Sequence, residues 1–498
     1  MKRTGIWAAL VMWPFIASPV WAELRGEWVT SDRTVDCSSY ESIARDVLKP
    51  GMTDEAKAIA LFQFFRQRVY HYLNLPESRE PLKTVNIMGN TLCGSQATCM
   101  KGLLQGCAGL KTRVVSHPGH TFYEVWYDDK WHGYDTMTNF YVFTRGDKRS
   151  VASFEELRQD PTLIRDAIKE GRATPNMCCC GDEAKNFAQK IQVTDYTPAT
   201  SKWSVKDGRL RLGEEMVRSW WPEGKALPGS QLKSHPGPLH GCGTRDRGAE
   251  PFLYKFWEPY GIAKFGGTTV SYRHYFNGQL NYAPDLTDRA AVLDGGNQLD
   301  GAQVTPQGLA GPGTYTVSMR CPFYFTGALL HLDVTCPGAG DSLEVEVSQK
   351  SGAWKKVFSG GEAGRKEYRI DLDGAVAQAS IGRYEYTLKI ALKGKAVLHK
   401  LHARSWFQHN AMAAPHLMSG ANVVKVEVAN EEALQKAPLT LIYRYREAPK
   451  WQGDVKSVQH TVRKNGETFR VETAQSEKLP QMRDLTLRYG KLAWNPDK

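Results

Sequence analysis

The sequence predicts an α+β unit followed by an all-β sandwich, and three observations carry that expectation. Hydrophobic residues recur at helical spacing through residues 53–72 and again from Cys93 to Gly109, with strand-like alternation close behind. Past about residue 250 the period changes to short alternating runs between Gly- and Pro-rich turns, the pattern of a sandwich of lectin-like or jelly-roll type. The chain has 498 residues, 41% hydrophobic and 23% charged, too long for one ordinary domain and balanced like a globular protein. Disordered, coiled-coil and collagen classes are thereby excluded. The formal net charge of +11 is spread along the chain rather than gathered in a patch, which argues against a nucleic-acid partner.

Taken in order, the first residues read as a leader. Met1-Lys2-Arg3 is basic, Ile6 to Trp13 is apolar, and Val20-Trp21-Ala22 offers small or aliphatic residues before a cut. Residues 1–22 are therefore expected to be a signal peptide cleaved after Ala22, exporting the protein to a periplasmic or extracellular compartment. No other run approaches the ~18 apolar residues of a spanning helix, so no membrane span is expected after its removal. Residues 23–200 form the α+β unit. Thr53 can cap a helix, with Asp54 and Glu55 at its positive end, and Ala58, Leu61, Phe62, Phe65, Val69 and Tyr72 follow on one face. A second helix starts near Cys93, puts Ala97, Met100, Leu104 and Cys107 on one stripe, and stops at Gly106 and Gly109. Arg113–Val115 and Thr121–Tyr127 read as strands. Residues 201–250, with Pro222, Pro228, Pro236 and Pro238, read as a connector. The sandwich spans 251–450, and 451–498 reads as a C-terminal β extension. Trp203, Trp220 and Trp221 are core residues by default and a sugar platform as the alternative.

Ten cysteines in an exported chain favour disulfides. Cys321 and Cys336 flank two consecutive strand-like runs and form the favoured bridge. The triplet Cys178-Cys179-Cys180 is expected to reach distant partners such as Cys37. His235, His240 and Cys242 look superficially like metal ligands, but their Pro- and Gly-rich setting offers no rigid scaffold, so no metal and no cofactor is expected.

The chemistry sits between Gly89 and Asp135. A cysteine nucleophile needs its thiol deprotonated near neutral pH, and a helix N-terminus favours the thiolate; Cys93 lies at such a start. A histidine must take and return the proton, and a third group must orient it. His120 opens an alternating run to Tyr127, Asp128-Asp129 supplies a turn, and Trp131 to Asp135 returns. A two-residue loop pairs Tyr127 with Lys130 and hence Phe122 with Asp135, which puts Asp135 diagonal to His120 on the same face. A three-residue loop would turn Asp135 to the wrong face. Rival readings make Cys93 a bridge partner of Cys99, His117 the base, Asn139 the orienting group, and Glu124 either a neighbour of His120 or an exposed strand carboxylate.

These residues resemble the transglutaminase-like superfamily. Cys93-Gly94-Ser95-Gln96-Ala97 is similar to the Cys-Gly-x-x-Ala start of its nucleophile helix, and Gly109 to Val115 is similar to the Gly-Ile-Pro-Ala-Arg-Val-Val run that follows. Gly119-His120 through Glu124-Val125 resembles its Gly-His-x-x-x-Glu-Val strand, and Trp131 to Asp135 its Trp-x-x-x-Asp strand. The match is best to secreted bacterial members. Lys111-Thr112 departs from the usual Pro-Ala, and Phe122 from the usual Trp. The resemblance implies a papain-like fold and a Cys93, His120, Asp135 triad acting on amide or peptide bonds through a thioester. It further implies that the Cys93 N–H stabilises the oxyanion, with Asn90 as a weaker second donor. The expected partner is a peptide, protein or envelope polymer, with hydrolysis favoured over amine transfer and carbohydrate bound by the sandwich. The alternatives are an inactive transglutaminase-like protein serving as a carbohydrate- or envelope-binding module, and a redox or metal protein built on Cys178–Cys180.

Overall fold

A computed structural model describes residues 23–71, 78–137, 140–146, 149–169, 189–220, 276–349, 353–377, 383–447 and 453–497. The leader 1–22, Asn139, Cys178–Cys180, Trp221, His235, His240 and Cys242 lie outside the described residues.

The first unit packs helices on a small sheet. Helix α1 (Tyr40–Val47) opens with a capping box in which Ser39 and Ser42 bond reciprocally. Helix α2 (Asp54–Arg66) starts where the sequence predicts it, with Thr53 Oγ1 accepting from the Ala56 N–H at 3.2 Å. Helix α3 (Cys93–Ala108) runs past Gly106 and ends at Gly109, whose φ of 66° suits a residue without a Cβ. Behind it lies an antiparallel sheet of four strands, β1 (Thr112–His117), β2 (His120–Tyr127), β3 (Lys130–Tyr134) and β4 (Gln192–Thr194), in the order β3-β2-β1-β4. Phe62, Phe65, Leu103, Leu104, Val114, Tyr123, Val125 and Tyr134 bury the seam between helices and sheet. Helices α4 (Phe154–Gln159) and α5 (Thr162–Lys169) cover the sheet's other side through Phe122, Phe154, Leu157 and Ile164.

The rest of the chain is strand-rich. Among the described residues, fourteen strands join one antiparallel sheet. Its main path uses β5 (Glu214–Ser219), β6 (Phe276–Tyr282), β7 (Gly313–Cys336), β8 (Ser342–Ser348), β9 (Lys355–Gly360), β10 (Arg383–Lys393), β11 (Val397–His409), β12 (Leu439–Arg446), β13 (Lys456–Val462) and β14 (Gln481–Tyr489). Their order is β9-β8-β10-β7-β11-β6-β5-β14-β12-β13. The early half of β7 pairs with β10 and the later half with β11 and Gly364–Asp371, with irregular register between Arg320 and Phe325. Tyr315, Val317 and Met319 from one half and Leu330, Leu332 and Val334 from the other enter the same core. The coarse expectation of a mixed, sheet-rich fold therefore holds.

Three boundaries differ from expectation. Within the supposed connector, β5 lies in the middle of the sheet between β6 and β14. The supposed C-terminal extension supplies β14, paired on both sides. The first described strands also belong here: Leu24–Arg25 pairs with Arg209–Leu210, and Trp28–Ser31 pairs with Ala421–Glu427. Each segment carries apolar residues whose partners are hundreds of positions away, so a local reading leaves them unassigned. The Cys321–Cys336 bridge is also overturned. Both residues sit on β7, fifteen positions apart on one extended strand. The paired run from Gly327 to Cys336 alone spans roughly 30 Å at ~3.3 Å per residue, and Cys321 lies beyond its far end, where a disulfide needs Cα atoms within about 7 Å. Both are buried thiols whose pKa burial pushes up. Cys37 is likewise a buried thiol. Among the described residues, no helix is long and apolar enough to cross a membrane.

Candidate active site

Cys93 is the first residue of α3, half-buried, and preceded by Leu92, which caps the helix in extended conformation without a side-chain hydrogen bond. First-turn N–H groups at such an end have no intrahelical partner and carry the positive end of the dipole, which suits a thiolate or an oxyanion. Upstream, the wide turn Thr84–Met88 closes with the Gly89 N–H on Thr84 O at 2.9 Å. Gly89 then takes the left-handed conformation, and Asn90–Thr91 leads into the helix.

His120 enters β2 from a tight turn. His117 and His120 are opposite partners, and Pro118-Gly119 joins them with Gly119 at φ 89°. The returning hairpin has the two-residue loop that the triad requires. Asp128 and Asp129 both sit in the left-handed region, at φ 47° and 57°, as a type I′ turn demands. Tyr127 pairs with Lys130 and Tyr123 with Tyr134. Asp135, the next residue, therefore shares His120's face one step along the diagonal. His120 Nε2 lies 2.6 Å from Asp135 Oδ2, and both side chains are 2% exposed. Asp135 Oδ1 accepts from the Met137 N–H at 3.0 Å, and its backbone pairs reciprocally with Phe140. The carboxylate is thereby held on both oxygens.

Burial alone would lower the His120 pKa, but the Asp135 charge and hydrogen bond, with a further hydrogen bond to Cys93, overcome it and raise the value to about 10. His120 Nδ1 is buried, and the ring interacts with Cys93. Such contacts tighten when substrate arrives. With Nε2–H donated to the carboxylate, Nδ1 is the atom left to exchange a proton with sulfur.

The rival residues go elsewhere. His117 Nδ1 contacts Pro118 O at 3.0 Å, and burial lowers its pKa. Its ring packs 5.8 Å from His120 and 5.3 Å from Phe122. Glu124, expected as a neighbour of His120 or an exposed carboxylate, is buried and takes the guanidinium of its cross-strand partner Arg113 at 2.6 Å. Its other oxygen accepts from the Phe154 N–H at 3.2 Å. Cys99 points into the core toward Thr84 Oγ1 at 3.3 Å, and Cys93 and Cys99 both remain thiols. Asn90 is buried, and its amide donates back to Met88 O at 2.9 Å, which ties it to the preceding turn. Trp220 is fully buried, and Trp203 Nε1 donates to Pro322 O at 2.7 Å, so both are structural.

One wall of the site escaped the sequence reading. A Cβ added at Gly94 would stand 3.2 Å from the Tyr196 ring and 4.0 Å from Thr121 Oγ1. Arg79 stacks on that ring at 4.6 Å, and Lys101 Nζ donates to Tyr196 O at 3.1 Å. Tyr196 follows β4 and meets α3 only through the fold, so no local pattern announces it. Among the described residues, no group of three or more His, Cys, Asp or Glu could hold a metal ion.

No protein family model matches the chain, and no curated protein does. Solved structures resemble parts of it. The Lactobacillus rhamnosus β-glucuronidase is 14% identical over 38% of this chain and 34% of that one, with a TM-score of 0.12. A Bacteroides uniformis β-glucuronidase is 13% identical over 35% of this chain and 22% of that one, at 0.13. A Ruminococcus gnavus β-glucuronidase is 10% identical over 35% and 34%, at 0.12. The chain spans about a third of the first of these structures (34%) and less of the second (22%). At such scores the likeness establishes neither shared fold nor shared function.

Proposed function

We propose that the protein is an exported transglutaminase-like cysteine enzyme that cleaves amide or peptide bonds through a thioester. One observation carries the reading: a buried His120–Asp135 pair at 2.6 Å faces the start of a helix whose first residue is Cys93. A nucleophile helix against an antiparallel sheet that supplies base and orienting carboxylate is the arrangement a papain-like core uses.

In the proposed cycle, the Cys93 thiolate attacks the substrate carbonyl carbon and forms a C–S bond. The oxyanion lies against the Cys93 N–H at the helix end. Collapse breaks the C–N bond while the His120 imidazolium gives its proton to the departing amine. Water then attacks the thioester carbonyl, loses a proton to His120, and displaces the thiolate, releasing the acid. Asp135 stays ionised throughout, holding the ring and its charge. Hydrolysis is favoured over transfer because water is always at hand and, among the described residues, none is recognised that would select an amine. The substrate is a peptide, protein or envelope polymer, met in a periplasmic or extracellular space after removal of 1–22. The strand-rich unit is assigned as a lectin-like or jelly-roll sandwich that can offer a carbohydrate-binding face.

The test is selective alkylation. Iodoacetamide should modify Cys93 at pH 7 well ahead of the buried thiols and faster than a free thiol. Envelope extract should leave an acyl group on Cys93 that the C93A variant lacks. Slow, unselective labelling would sink the enzyme reading and leave a binding module.

A further inference from the structure

We infer that Asn410, in the strand-rich unit, is a positioning residue for the nucleophile. The inference rests on the acyl-transfer reading and adds that the second unit aims Cys93.

The wide turn Thr84–Met88 leaves main-chain carbonyls without helical partners. Three consecutive ones are taken by a single stretch at the end of β11. Asn410 Nδ2 donates to Val85 O at 2.7 Å, the Asn410 backbone N–H donates to Asn86 O at 2.9 Å, and Gln408 Nε2 donates to Ile87 O at 3.4 Å. The second N–H of the Asn410 amide donates to Arg68 O at 2.9 Å, just past the end of α2. Asn410 Oδ1 turns back to accept from the Met412 N–H at 3.1 Å. One buried amide thus ties the end of α2, the turn and its own strand together, with its hydrogen-bonding capacity spent on the clamp.

Packing repeats the message. Ile87 and Met88 belong to the core of the strand-rich unit, while Ala413 is buried in the core of the helical unit. The Asn410 side chain also lies against Gly89: a Cβ there would meet its Cγ at 3.0 Å and its Oδ1 at 3.1 Å. From Gly89 only Asn90, Thr91 and Leu92 intervene before Cys93, and Leu92 contributes no side-chain cap of its own. The loop that delivers the sulfur is therefore held from both units: Asn90–Thr91 pairs with Tyr70–His71 in its own, and Asn410 and Gln408 hold the turn before it from the other. A displacement of ~1 Å at a reacting atom can cost about 10²-fold in rate, so loosening this clamp should be read at Cys93. Aspartate at 410 keeps the shape and the acceptor but removes both side-chain donors.

The experiment compares full-length wild type with N410D and G89A, using iodoacetamide as the probe and L388A as a control destabilised in the strand-rich core without touching the clamp's hydrogen bonds. N410D should slow Cys93 alkylation at pH 7 by roughly 10- to 100-fold and move its pH profile toward that of an ordinary thiol, near ~8.5. G89A should act in the same direction. L388A should lower the melting temperature while leaving the rate per folded molecule and the profile unchanged. N410D retaining both rate and profile would overturn the inference, as would L388A mimicking it at an equal loss of melting temperature. If wild-type Cys93 reacts no faster than a free thiol, the acyl-transfer reading fails by itself. Hydrogen exchange over residues 84–92 then decides the clamp: faster exchange in N410D than in wild type supports it, and unchanged exchange overturns it.

Discussion

His120 and His402 are both buried imidazoles on strands, one in each unit, and the fold drives them in opposite directions. His402 on β11 stands opposite His331, has no hydrogen-bond partner on either ring nitrogen among the described residues, and its pKa falls to about 3. Burial is the main cause, with Arg404 and His331 adding to it. Desolvation lowers His120 too, yet the Asp135 carboxylate raises it to about 10. The contrast teaches that depth does not decide the charge of a buried imidazole; the group placed on its nitrogen does. The helical unit keeps a cation where chemistry needs one, and the strand-rich unit keeps its histidine neutral.

Changes on the reactive side should have the largest effects. Cys93→Ala should abolish turnover and iodoacetamide labelling at that position, read by mass spectrometry. Asp135→Asn preserves the shape but removes the charge that raises His120. Turnover should fall by up to about 10⁴-fold, and the alkaline limb of kcat/KM should move below its wild-type place near pH 10. His120→Ala should cost about 10²–10⁴-fold in turnover while the melting temperature shows a folded chain; an unchanged rate would break the comparison outright.

Stability measurements sharpen it further. Arg113→Met leaves Glu124 buried with one main-chain donor and should cost about 3 kcal/mol in urea unfolding. The remaining effects are in pH dependence. Because the folded pKa of His402 lies below its unfolded value, the unfolded chain binds the extra proton between about 3 and 6.5, so stability drains as pH falls through that window. His402→Leu should flatten that acid limb of the urea midpoint. His120 has the opposite sign: its stabilisation is complete below about 6.5 and is lost as pH rises through about 10. Asp135→Asn should remove that alkaline loss.

Much of the candidate site was legible because its logic is local. The register of the β2–β3 hairpin follows from Asp128-Asp129 and a period of two, and it alone brings Asp135 to His120. The start of α3 follows from the stripe through Ala97, Met100 and Leu104. What escaped depends on distant partners. Tyr196 reaches Gly94 across the end of β4, and Glu124 is paired with Arg113. Cys321 and Cys336 look like neighbours across a hairpin only if a turn is assumed between them; β7 continues instead.

Residue order alone determined the elements whose hydrogen bonds close within a few positions: two helices with their ends, the tight hairpin, and the face on which imidazole and carboxylate meet. Tertiary structure decided which strands lie beside β5 and β14, that Trp28–Ser31 joins Ala421–Glu427, and that Asn410 closes on Val85. These bonds span up to several hundred residues, and a main-chain donor carries no mark of the acceptor it will meet. Only the competition to bury apolar faces without stranding polar groups selects that partner, and it is settled by the whole chain at once.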